Sequence, residues 1–225
     1  MLDAITTTAT AMMLDKSRLE IVNQNISNMQ TPGYKRAVTE SHFDELLSPI
    51  MQNTQGSLVQ SRIPHELAIS GVGFFEVQTD KGIFYTRRGD FHINEQGELA
   101  TALGARLLGK SGVIRVDDNP FVIDKRGNVF INNQKTDEIS IVNFDNDESL
   151  NYLGEGLYEA INTPIPVDSS TQLLQGFIEQ SNVKSIDEMI DLVKLSRHFE
   201  ASQRVMQTSN DLLSKAIREL GETNV

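Results

Sequence analysis

Cysteine is absent from this chain of 225 residues, so disulfides, zinc–thiolate sites and a thiol nucleophile are excluded and the redox compartment stays undetermined. Long apolar runs are missing too: none spans a bilayer, and 39% apolar residues with a mean hydropathy of −0.28 describe a soluble protein of one or two domains. Concentrated positive charge is also lacking. The net charge is −11 and the lysines and arginines are scattered, which excludes wrapping nucleic acid. The first residues show none of the basic region, continuous apolar segment and small-residue cleavage site of a secretory signal. The expectation is therefore cytoplasmic residence, unless export uses a signal-independent route.

Recognisable chemistry is equally sparse. His42, His65, His92 and His198 have neither metal-ligand spacing nor a local nucleophile partner. Asp145-Asn146-Asp147-Glu148 invites a calcium reading, yet Leu150 and Gly156 stand where a helix–loop–helix calcium site needs its glycine and its bidentate glutamate. A solvated acidic loop is expected instead. Arg88-Gly89-Asp90 spells an adhesion tripeptide, but it lies in a predicted turn between strands, where Gly and Asp are ordinary. Gly71-Val72-Gly73 precedes a strand and lacks the strand-then-helix context of a phosphate-binding loop. No catalytic set, metal, cofactor or small-molecule substrate is expected.

What the chain does have is a long apolar stripe at each end. The first comprises Leu2, Ile5, Ala9, Met12, Leu19, Val22 and Ile26, spaced by threes and fours and broken by Lys16, whose stem is expected to lie along the seam. The second comprises Met189, Leu192, Ser196, Phe199, Gln203, Met206, Asn210, Leu213, Ile217 and Leu220. Its polar positions suit a coiled-coil-like seam whose register must be fixed. A flanking row of Ile186, Ile190, Val193, Val205, Leu212 and Ala216 widens this second stripe, so the helix can touch more than one neighbour. Ser185 and Glu188 fit a capping box at its start, and Gly221 supplies a stop. On its solvated side Glu200 with Arg204 and Asp211 with Lys215 sit at i, i+4. Such an acidic, mixed-charge helix is a poor ligand for an anionic membrane surface. Pairing the two ends within one chain must also close a loop of the whole intervening sequence. The terminal helices are therefore expected to order when other subunits pack on them.

Between the ends the text changes twice. Residues 31–65 are polar and broken by Pro32, Gly33, Pro49 and Gly56, which reads as an extended connector with one short helix around His42 to Leu47. From residue 66 the period becomes two. Strands are predicted at Phe74–Thr79, Ile83–Thr86, Phe91–Ile93, Glu98–Thr101, Arg106–Leu108, Val113–Val116, Phe121–Ile123, Asn128–Ile131 and Glu138–Phe144. Phe91-His92-Ile93-Asn94-Glu95-Gln96-Gly97 and Phe121-Val122-Ile123-Asp124-Lys125-Arg126-Gly127 share a turn grammar, with Gly three places after Asn or Asp. A looser acidic stretch then leads to Thr163-Pro164-Ile165-Pro166, a rigid spacer. The fold class is α+β: paired N- and C-terminal long helices, coiled-coil-like, with an inserted antiparallel all-β domain. The expected divisions are a terminal helical assembly domain of residues 1–30 and 181–225, the connector, and a β-rich outer domain of residues 66–180.

Three ordered motifs add a resemblance. Asn23-Gln24-Asn25-Ile26-Ser27-Asn28-Met29-Gln30-Thr31-Pro32-Gly33-Tyr34-Lys35 resembles the segment ending the N-terminal helix of bacterial flagellar rod and hook proteins. Leu67-Ala68-Ile69-Ser70-Gly71-Val72-Gly73-Phe74-Phe75, followed by Tyr85-Thr86-Arg87-Arg88-Gly89-Asp90-Phe91, is similar to their central region, with Val72 where an acidic or polar residue belongs. Ser181-Asn182-Val183, Glu188-Met189 and Arg197-His198-Phe199-Glu200 resemble their C-terminal helix. The helix-end residues fit the first motif physically. Asn25 and Asn28 can satisfy backbone groups, Thr31 and Pro32 stop the helix, Gly33 turns the chain, and Tyr34 anchors the exit with its ring.

Within that family the wording is most similar to proximal rod subunits, with distal rod or hook-type axial subunits as the alternative. The resemblance implies a structural subunit of the flagellar basal-body rod, exported through the flagellar type III apparatus and assembled in the periplasm with copies of itself and other rod proteins. It also implies a hollow helical drive shaft built from the terminal helices. A competing class is a β-domain ligand-binding module with oligomerising tails, which would require a convergent set of titratable groups.

Overall fold

The computed structural model describes residues 2–39, 49–117, 119–144, 150–168 and 170–222, with the side chains of residues 2–4, 216, 217 and 219–222 outside the described set. Two helices bracket a run of short strands: α1 is Leu2–Ser27 and α2 is Ser185–Glu222. The strands are β1 Ala37–Thr39, β2 Pro49–Met51, β3 Leu58–Gln60, β4 Leu67–Ser70, β5 Phe74–Thr79, β6 Gly82–Thr86, β7 His92–Ile93, β8 Leu99–Ala100, β9 Arg106–Gly109 and β10 Gly112–Val113. They continue as β11 Phe121–Ile123, β12 Asn128–Ile131, β13 Gln134–Glu138, β14 Ile141–Asn143, β15 Leu150–Gly154, β16 Leu157–Ala160, β17 Ile165–Pro166, β18 Gln172–Gln175 and β19 Phe177–Glu179. The class is α+β with a central antiparallel β region. No described helix is long and apolar enough to cross a membrane.

The chain divides into two compact units, Met1–Ser27 with Ala37–Pro49 and Lys184–Val225, and Asn28–Arg36 with Ile50–Val183. In the first, α1 and α2 pack on each other. Their direction follows from two polar contacts, Asp15 with His198 and Asn25 with Glu188. As one helix advances the other retreats by the same number of residues, so the pair is antiparallel.

In the second unit, a ten-stranded sheet runs β15-β16-β6-β5-β9-β8-β7, with β10 on β9, β14 on β5 and β17 on β14. Its pairings are antiparallel, as in Val77 opposite Phe84 and Leu107. The three-stranded sheet β11-β12-β13 and the pair β4-β18 complete the wall around one apolar core. Leu67, Phe75, Val77, Leu107, Val129 and Leu173 meet there, nearly inaccessible. Alternation along β5 sends Phe75 and Val77 into this core and Phe74 to the other face. On that face the rings of Phe74, Phe144 and Tyr85 meet edge to face.

The two similar turns have the same internal bonding. Asn94 Oδ1 accepts from the amides of Gln96 and Glu98, and Asp124 Oδ1 accepts from those of Arg126 and Asn128. Gly97 and Gly127 close them at φ 76° and 85°.

Several expectations are corrected. Glu138–Phe144 is two strands, β13 and β14, because Ile139 and Ser140 leave β13 to bond Gly127 and Leu108. The looser stretch before Pro164 contains the hairpin β15–β16, and Ile165–Pro166 pairs with β14 instead of acting as a spacer. The connector holds β1, β2 and β3, with β3 paired to β19. Gly221 lies inside α2. The predicted helix around His42 to Leu47 and the acidic loop Asp145 to Glu148 lie outside the described residues.

Candidate functional site

The residues expected to drive assembly sit mostly on one seam. On α1, Ile5, Ala9, Met12, Leu19 and Ile26 are half-buried and Val22 is buried. On α2, Leu192, Ser196, Phe199, Met206 and Leu213 are half-buried. The side chains of Leu2, Ile217 and Leu220 lie outside the described set. Met189, Gln203 and Asn210 point outward, and Leu195, Ser202 and Ser209 share the seam instead. The break in the first stripe is filled by Asp15, not Lys16. Lys16 is exposed and pairs with Glu20 on its own helix, because its ammonium finds water and a carboxylate there.

Polar contacts set the seam's register at two points. His198 Nδ1 donates to the buried Asp15 carboxylate at 2.5 Å. Asn25 Nδ2 donates to the fully buried Glu188 carboxylate at 3.1 Å and to Ala37 O at 2.8 Å, while its Oδ1 accepts from the Ala37 amide. Asp15 to Asn25 and Glu188 to His198 span equal lengths, so a shifted register would strand two buried carboxylates. The expected register-setting residues Gln203 and Asn210 are exposed and make no such contact among the described bonds. Asn25 also bonds both backbone groups of Ala37 at the start of β1. Asn28 does the local work, its carbonyl and side-chain oxygen accepting from Thr31.

Beyond the helix end, the first two of the three motifs that carry the resemblance converge on one buried carboxylate, which stands two residues before the third. Glu179 accepts from Lys35 Nζ at 2.7 Å, from Arg87 Nε at 2.7 Å and from the Gly56 amide at 2.9 Å. Lys35 also donates to Thr54 O, and Arg87 donates to the carbonyls of Ile69, Gly71 and Gly73. All three charged side chains are almost fully buried. Burial pushes the Lys35 ammonium below the ordinary lysine value; Glu179 opposes that shift and Arg87 adds to it. Two cations share one anion, so the carbonyl dipoles supply the remaining compensation.

Around this cluster the chain is stitched across long separations. The Gly33 amide donates to Glu179 O, and Asn182 accepts from the Arg36 amide at 2.7 Å while donating to Gln52 O and Thr54 O. Gly33 has φ 66°, and a Cβ there would stand 2.3 Å from Arg87 O. Thr31 and Pro32 form the preceding turn, with the Tyr34 amide bonded to Thr31 O. Tyr34 is fully buried, edge-on to Tyr152, which leads through Tyr158 to Phe74. Burial raises the phenols of Tyr152 and Tyr158 above their ordinary value.

The adhesion-like tripeptide is closed on itself. Arg88 donates twice to the Asp90 carboxylate, at 2.9 and 2.6 Å, while a Cβ on Gly89 would lie 1.5 Å from Leu67 O. Glu179 was not legible as a site residue, since its partners lie 144 and 92 residues away. Nor was Asp15, a charged residue beside an apolar stripe. Its only signal was the step from Met12 to Leu19, which skips a turn.

Three family models match the chain in order: flagellar basal body rod protein over residues 5–35, flagellar hook protein FlgE/F/G D1 domain over residues 68–137, and flagellar basal body rod FlgEFG protein C-terminal over residues 174–219. The chain is 30% identical to flagellar basal-body rod protein FlgF of Mesorhizobium japonicum, covering 98% of this chain and 99% of that one. It is 31% identical to FlgF of Caulobacter vibrioides over 93% and 94%. It is 27% identical to flagellar basal-body rod protein FlgG of Bacillus subtilis over 90% and 93%.

Proposed function

The chain belongs to the family of flagellar basal-body rod proteins and is a structural rod subunit, and from that premise we propose how it assembles. The paired helices form a coiled-coil-like inner layer around a narrow channel. The assembly domain then comprises residues 1–30 and 181–225, and the β-rich domain of residues 66–180 lies outside. Copies of the chain and other rod proteins meet head to tail, which gives an open helical tube and not a closed ring. That tube is a stiff shaft transmitting torque for motility.

The observation that carries this is the poverty of the helix pair as a free-standing structure. Among the described residues Ile21 and Val22 are the only buried apolar side chains of α1, and α2 buries only Glu188. Val205 and Leu212 stand half or more exposed on α2. Neighbouring subunits cover such faces, and the terminal helices order fully only then. Rapid amide exchange at both ends of the dilute monomer, slowing in rods, is expected; strong protection in the monomer would overturn the ordering step.

The same reading includes export through the flagellar type III apparatus and a periplasmic position in the rod. We place the subunit with the FlgF type, since identity to the two FlgF relatives exceeds that to the FlgG relative. Deleting residues 1–28 tests the whole assembly reading. Rod incorporation and motility are lost while the β-rich unit stays folded. Motility surviving that truncation would refute it.

A further inference from the structure

The pair β3–β19 and the turn after α1 enclose a groove of about 440 Å³. Its apolar floor is Met29, Pro32, Val59, Ile178 and Val183, and the rest of its lining is glutamine and serine. Among the described residues no charged one lines it, in a chain that is 23% charged. An apolar floor with an uncharged polar rim suits one face of an amphipathic helix.

A matching ridge is present on the same chain. Ile186, Met189, Ile190 and Val193 are 72%, 51%, 48% and 50% exposed at the start of α2. They stand at i, i+3, i+4 and i+7, the anchor spacing of a helix laid into a groove. Seven residues of helix place these anchors along about 10 Å. The other exposed large apolar side chains of the described β strands, such as Val122 and Leu153, stand singly and form no helical ridge.

We infer that the groove of one subunit receives the Ile186–Val193 ridge of a second copy of this chain. Groove and ridge are different surfaces, so the contact is heterologous and repeats from copy to copy. The opposite side of α2 stays on α1, and Val205 and Leu212 remain for the helical layer. This inference rests on the rod-subunit reading above.

Because the chain has no cysteine, single cysteines report the contact cleanly. Cells producing Val59→Cys and Ile190→Cys chains together are oxidised, and basal bodies are isolated. Both positions are solvent-exposed, so the substitutions are mild. Immunoblotting first reads incorporation, and non-reducing electrophoresis then reads the crosslink. A mixed, reductant-sensitive dimer is expected from this pair and none from Val59→Cys with Val205→Cys, since a disulfide needs Cα atoms within about 7 Å. Incorporated chains with no mixed dimer, or with only Ile190→Cys homodimers, overturn the groove contact and leave the rod reading standing. Absence of both chains from basal bodies overturns the two together.

Discussion

His198 donates to the buried carboxylate of Asp15 across the helix pair at 2.5 Å, in the same register that places Asn25 on Glu188. Half of each contact is sealed from water, but the two differ in their other half. His198 is largely solvated, whereas Asn25 is as buried as its partner. The difference decides what each contributes.

Truncating Asn25 should cost more than truncating His198. Asn25→Ala removes a donor from Glu188 and both partners of the Ala37 backbone, a loss of about 1–3 kcal/mol. His198→Ala leaves Asp15 open to entering water and should cost less. Urea unfolding followed by the helical circular dichroism signal measures both, and a double-mutant cycle over Asp15 and His198 isolates their coupling.

Glu179→Gln removes the single anion between Lys35 and Arg87. Breaking a buried pair from one side leaves uncompensated charge, a loss of about 3–5 kcal/mol. Glu20→Gln, which disrupts only the exposed pair with Lys16, should cost less than about 1 kcal/mol. Thermal unfolding of the two variants gives the contrast.

Gly89 and Gly104 should tolerate alanine very differently. Gly104 has φ +81° and open space around its missing Cβ, so only backbone strain of about 1–2 kcal/mol is expected. At Gly89 a Cβ would collide with Leu67 O and force apart the Leu67–Gly89 hydrogen bond. Melting temperatures should fall modestly for Gly104→Ala and far more for Gly89→Ala.

Acid should loosen the β-rich unit through its turn carboxylate. Burial raises the Asp124 carboxyl, but the hydrogen bonds from Asn128 and Arg126 outweigh it and hold the group below its ordinary value. A carboxylate depressed on folding contributes stability above its unfolded pKa and loses it as pH falls through the folded one. Asp124→Asn should therefore flatten the pH dependence of unfolding below about pH 4, the ordinary aspartate range. Equal acid sensitivity in both proteins would remove Asp124 as a source.

Phe199 is half-buried in the isolated chain, so Phe199→Ala should cost less there than the roughly 3–5 kcal/mol of an enclosed ring. In rods the loss should grow as a neighbour covers the exposed part of the ring. Comparing monomer unfolding with the dissociation of isolated rods reads both values.

The helices and the best-patterned strands were legible because their signals are local. Periodicity of three to four marks α1 and α2, and alternation with glycine turns marks Phe74–Thr79, Phe121–Ile123 and Asn128–Ile131. Leu150–Gly154 and Leu157–Ala160 were not legible, since partly exposed strands beside acidic residues carry little alternation. Leu58–Gln60 is too short for a period to register, and only Phe177–Glu179 across from it makes it a strand.

By itself the sequence determined that this protein has two long terminal helices around a β-rich middle, and its three motifs pointed to a flagellar rod subunit. Only the tertiary structure decided that Asp15 and not Lys16 fills the seam, and that Lys35, Arg87 and Glu179 share one buried site. The reason is range. Helical stripes and turns are written within a few residues, whereas a buried charge is tolerated only when its partner arrives from far along the chain, and no local spacing encodes that arrival.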